Sequence, residues 1–137
     1  MLNNFIQLHT SFVTLPVNEC PYEVERNKKF YPYFKDVLGA IDGTHILAHV
    51  PAQHLGPFRH RKGQITQNVR VVCSFDRQFC YVLTGWKGSA HNGTVLNHAL
   101  EKGFVIPEGK YYLGDTRYRL RNGCLTPYWG VRYHLRE

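Results

Sequence analysis

The sequence predicts the α/β class, and three observations carry that expectation. Two short apolar runs, Val37 to Ile41 and Tyr111 to Leu113, each lead into a pairing of glycine and aspartate, at Asp42-Gly43 and Gly114-Asp115. Residues 69–75 and 79–86 are rich in β-branched and aromatic side chains and meet at Asp76-Arg77, which marks a β-hairpin. Val95, Leu96, Ala99 and Leu100 recur at helical spacing. The chain order is therefore strand, hairpin, helix, strand. At 137 residues with 43% hydrophobic content the chain fits one domain able to bury a core.

Taken in order, residues 1–21 form an N-terminal arm whose apolar residues follow no clean period, closed by Pro16 and Pro21. Residues 22–137 make up the domain proper. Phe30, Tyr31, Tyr33 and Phe34, around Pro32, are expected to pack in the core. The strand that follows ends on Asp42. A carboxylate at the end of an apolar strand requires hydrogen-bond donors, a basic side chain or a metal ion, so it is either a turn residue satisfied locally or one half of a site. From Ala48 to Gln67 two prolines, two glycines and the cluster Arg59, His60, Arg61, Lys62 predict a long mobile loop suited to phosphate contact. After the hairpin, Gly88 to Asn92 supplies a turn and a candidate N-cap, and Gly103 stops the helix. The last strand ends on Asp115. Arg117, Arg119 and Arg121 follow, then a turn at Asn122-Gly123 and an aromatic tail through Tyr128, Trp129 and Tyr133.

Charge narrows the partner class. The net formal charge is +7, with four Lys/Arg against five Asp/Glu in residues 1–56 and thirteen against five in residues 57–137. A polyanion is the expected partner of the second part, nucleic acid before acidic membrane, with a merely solvated basic surface as the alternative. No apolar run approaches a membrane span, and no secretory signal is evident, so an intracellular protein, nuclear or cytoplasmic, is expected. Cys20, Cys73, Cys80 and Cys124 show no paired spacing and are expected to stay reduced. The spacing of His45, His49, His54 and His60 does not match a structural zinc site.

If the two aspartate-bearing strands are neighbours, their like charges would cost about 4 kcal/mol at 4 Å with an effective dielectric near 20. A divalent cation would turn that cost into attraction.

Five segments together, AIDGTHI (40–46), RKGQITQNV (61–69), FCYVLTGWKGSAHN (79–92), EGKYYLGDTRYR (108–119) and TPYWGVRYHLRE (126–137), resemble the DDE-type Harbinger transposases and the nucleases derived from them. The resemblance covers residues 22 to 137. It implies a ribonuclease H-like mixed sheet, with three antiparallel strands, a helix, and a fourth strand beside the first. It further implies a divalent cation, Mg²⁺ above all, at Asp42 and Asp115, which match two of the family's acidic positions. Asn92 stands where a third aspartate is usual; it keeps an oxygen donor and loses the charge. Arg117 replaces a usual glycine. The family's glutamate lies on a helix some tens of residues beyond the second aspartate, whereas this chain ends at Glu137, 22 residues after Asp115. The expectation is thus a C-terminally incomplete core, also without the family's N-terminal DNA-binding helices.

On this resemblance Asp42 and Asp115 would be catalytic, and Asp42, Asp115 and Asn92 would face the metal. Arg59, Arg61, Lys62, Arg117 and Arg119 would contact DNA phosphates, and His45 and His91 would lie beside the ligand positions. Two metal ions held about 3.5–4 Å apart need several carboxylates, so a weak or inactive nuclease core is expected. The alternative is a DNA- or protein-binding module without catalysis, working with a DNA-binding partner. A metal-independent phosphate-binding protein would use the Arg117, Arg119 and Arg121 run but leaves both strand-end aspartates unexplained.

Overall fold

β-Branched and aromatic runs become strands where predicted, and one sheet gathers them. The computed structural model describes residue 9 and residues 11–131. Most of the first ten residues, Tyr133 and Glu137 lie outside the described residues. In chain order the elements are helix α1 (Tyr22–Glu25), strand β1 (Val37–Leu47), a 3₁₀ turn (Ala52–His54), helix α2 (Leu55–Phe58), strand β2 (Thr66–Cys73), strand β3 (Phe79–Lys87), helix α3 (Asn92–Glu101), and strands β4 (Tyr111–Gly114) and β5 (Cys124–Leu125).

The sheet order is β3-β2-β1-β4-β5. β1, β2 and β3 pair antiparallel in sequence, while β4 joins β1 in parallel and β5 joins β4 in parallel. The antiparallel side needs only the short turn at Asp76-Arg77, where Arg77 takes φ 68° and Ser74 Oγ donates to the Asp76 carboxylate. The parallel partner needs a crossover, and α3 supplies it.

Val95, Leu96 and Ala99 on α3 are fully buried against one face of the sheet. Leu96 and Ala99 form a core with Leu38, Ile41, Val72, Cys80, Phe104, Tyr112, Tyr118 and Cys124. The Phe104 ring lies between Tyr81 and Tyr112, at centroid distances of 4.9 and 5.3 Å. After Lys102, Gly103 at φ 96° turns the chain so that Phe104 N donates to Ala99 O and the ring folds back onto that core.

Four local expectations are corrected. β1 does not end at Asp42 but runs through it to Leu47, because β2 continues to pair with it as far as Thr66. Residues 48–67 are not a structureless loop: the 3₁₀ turn and α2 occupy 52–58, and an Arg59–Ile65 bridge closes a tight turn over 60–64. The aromatic knot is largely outside the core, with Tyr33 80% exposed and Phe30 and Phe34 packed edge to face at 6.0 Å. Val24 is the buried residue of that region. The two-residue β5 was not foreseen, being too short for any periodicity to show. Cys20, Cys73, Cys80 and Cys124 are all unpaired, as expected. Among the described residues no helix is long and apolar enough to cross a membrane.

Candidate functional site

The parallel pairing of β1 with β4 brings the two aspartates to one place in the sheet. Ile41 lies opposite Gly114, so Asp42 and Asp115 are the next residues on adjacent strands, which run about 4.8 Å apart. β4 stops at Gly114, and the acids therefore stand where the parallel pairing ends. Asp42 Oδ1 accepts the backbone N–H of Gly43 at 2.7 Å. Asp115 caps its own turn, with Oδ1 accepting Arg117 N at 2.9 Å and Oδ2 lying 3.4 Å from Arg117 Nε. Both acids are thus engaged locally, as in the turn-residue alternative, while sharing one end of the sheet.

Asn92 opens α3 at the same end, following His91, which takes the N-cap position with extended backbone and no side-chain cap bond. Beneath it, β2 presents Thr66, Asn68, Arg70 and Val72 on the face covered by α3, all four buried. Asn68 Nδ2 donates to Ala90 O and Arg70 Nη2 donates to Asn92 O, each at 3.2 Å. Two side chains of β2 thus fasten the entry to α3. The Arg70 guanidinium also lies over the Tyr118 ring, 4.8 Å from its centroid. Burial pushes its pKa down to about 10, while Asp42 and Asp115 act in the opposite direction. It therefore stays charged at neutral pH.

Sequence reasoning missed Arg70 and Asn68. Alternation along TQNVRVV assigns Thr66, Asn68 and Arg70 to water and Val69 and Val71 to the core. The signal that could have found them is the need of a helix entry packed flat on a sheet for buried hydrogen-bond partners.

The basic turn approaches through its histidine. The rings of His45 and His60 are 5.1 Å apart, and His45 Nδ1 is 3.0 Å from Thr66 Oγ1. Burial first, then the charges of His60 and Arg117, lower the pKa of His45. His45 therefore joins the acid-bearing strand to the 60–64 turn, and the Arg117 charge acts on it. Arg59, Arg61, Lys62, Arg117 and Arg119 are all exposed.

These residues do not fit a divalent cation well. Among the described residues no cluster of three acidic, histidine or cysteine ligands occurs. The backbone carbonyl of Asn92 is held by Arg70, and the Asp115 carboxylate faces Arg117. A buried guanidinium also acts on both acids.

Residues 41–135 match the sequence profile described as DDE superfamily endonuclease. The Mus musculus protein named "Putative nuclease HARBI1" is 28% identical over 129 residues, covering 89% of this chain and 36% of that protein. The Rattus norvegicus protein of the same name is 28% identical over 127 residues, with the same shares of 89% and 36%. The Arabidopsis thaliana "Protein ALP1-like" is 30% identical over 110 residues, covering 67% of this chain and 27% of its own. The chain thus spans about a third of the length of these curated relatives, or less. No solved structure matches it.

Proposed function

The chain belongs to the DDE superfamily endonuclease family, and from that premise we propose that it is a Harbinger-type, transposase-derived nuclease core of ribonuclease H-like fold that engages the phosphate backbone of DNA. The observation that supports this reading is the convergence at one end of the sheet. Asp42 and Asp115 stand side by side where the β1–β4 pairing ends, Arg117 is bound to Asp115, and His45, three residues past Asp42 on β1, touches His60 of the 60–64 turn. Arg59, Arg61, Lys62, Arg117 and Arg119 supply backbone contacts that carry no base preference by themselves.

In a nuclease of this family a divalent cation would supply Lewis acidity and an activated water, with Asp42 and Asp115 as the residues to hold it. Here these two acids are the whole of the described carboxylate set at the site, and the cationic residues around them favour binding of phosphate over holding of a metal. The 137-residue polypeptide is therefore expected to bind duplex DNA without cutting it. Fluorescence anisotropy with a labelled duplex, beside a Mg²⁺ and Mn²⁺ cleavage assay, tests both halves. Absence of binding at low salt would sink the phosphate reading. Cutting that disappears in both Asp42→Ala and Asp115→Ala would show an active metal centre instead.

A further inference from the structure

Among the described residues Arg70 is the one charged residue that the fold buries completely, at 0% exposure. Burying a guanidinium costs several kcal/mol unless charge and hydrogen bonds compensate it. Hydrogen bonding does so only in part. Nη2 donates to Asn92 O, whereas Nε and Nη1 have no hydrogen-bond partner among the described residues. The positive end of α3 lies beside the group and adds to the cost. Compensating negative charge must come from nearby, and Asp42 and Asp115 are the carboxylates that act on it.

Geometry explains how they reach it. Gly43 pairs with Arg70 across β1 and β2, and Asp42 pairs with Val71, so strand alternation sends the Asp42 side chain to the opposite face of the sheet from Arg70. Between them stands a layer of bare backbone. A Cβ placed on Gly43 would come within 2.9 Å of Arg70 Nη1, and one on Gly114 within 3.2 Å of the Tyr118 ring on which Arg70 lies. Glycine beside each acid therefore lets the guanidinium lie directly against the strands.

We propose that Arg70 is the resident counter-cation of the acid pair, set behind the sheet, and that it weakens the hold of Asp42 and Asp115 on a divalent ion. The inference rests on the reading of these two acids as one site, and is separate from whether the chain binds DNA. A fixed positive charge behind the two acids opposes an incoming dication, by an amount expected to correspond to roughly tenfold or more in affinity.

Mn²⁺ titration of the 137-residue chain, followed by the electron paramagnetic resonance signal of free Mn²⁺, reads this directly. Arg70→Gln and Arg70→Met should bind Mn²⁺ at least about tenfold more tightly than the unaltered chain. Arg70→Lys, which keeps the charge, should bind as weakly as the unaltered chain, and Asp42→Asn added to Arg70→Gln should cancel the gain. Neutral variants that bind no tighter than the unaltered chain would overturn the proposal. A second measurement needs no Arg70 variant to fold. Without metal, Asp42→Asn and Asp115→Asn should each lower the melting temperature, because each removes compensation from a buried cation. A rise or no change, which relief of repulsion between uncompensated acids would give, counts against it equally. DNA anisotropy on the same proteins reports on the phosphate reading alone, so either idea can fail without the other.

Discussion

His45 carries the pH response of the site. Its pKa in the folded chain lies below the ordinary value of 6.5, through burial first and then the charges of His60 and Arg117. The unfolded chain therefore binds more protons near and below that pH, and stability rises with pH across the window. This contribution is complete above about pH 6.5 and declines as the pH falls through that value toward the lowered one. Melting followed by circular dichroism should show a lower midpoint at pH 5.5 than at pH 7.5. The drop should shrink in His45→Gln, and its persistence unchanged in that variant would place the proton elsewhere. The effect is small because the ring is largely in solvent.

Strand and helix positions were legible in the sequence because local composition determines them. β-Branched runs marked β2 and β3 within three residues at each end, and helical spacing with a following glycine marked α3. Pairing was not legible in the same way. The contact of Ile41 with Gly114 joins residues seventy-three apart, and only the assembled sheet sets it; the resemblance, not the periodicity, anticipated that neighbourhood. The aspartates were legible as exceptions in apolar runs. Arg70 was hidden because a polar residue at an alternate strand position reads as solvent-facing, and its burial depends on an element twenty-two residues later.

Two substitutions probe the elements themselves. Gly39 lies where the β1 and β4 register shifts, and a Cβ there would sit 2.2 Å from Cys73 O, a backbone atom that cannot swing away. Gly39→Ala should therefore cost about 2 kcal/mol or more in urea unfolding, within the range of overpacked sites. Leu96, buried between α3 and the sheet, should cost about 2–5 kcal/mol when changed to alanine. A loss below about 1 kcal/mol at Leu96 would mean that α3 contributes little to holding the crossover in place.

At the scale of the whole molecule the uneven charge is the dominant feature. Thirteen basic against five acidic residues after position 56 favour association with a polyanion and make it depend on salt. If Arg59, Arg61, Lys62, Arg117 and Arg119 each neutralise one phosphate, affinity for duplex DNA should fall roughly 10²- to 10³-fold between 50 and 200 mM salt. Replacing Arg59, Arg61 and Lys62 by alanine together should flatten the logarithmic slope by up to about 3. An unchanged slope would remove that turn from the interface.

β1 is the middle of the five strands, and Ala40 and Ile41 are bonded to β2 on one side and to β4 on the other. Each amide there points to one neighbour, and neither β2 nor β4 is an edge strand, so release needs the sheet to part at its centre, whereas the amides of the two-residue β5 and the outer edge of β3 are released by fraying. Hydrogen exchange should therefore be slowest just before Asp42 and should track global unfolding. The backbone that carries Asp42 would then have no partly open state of its own: it would be lost when the whole sheet is lost, and not before.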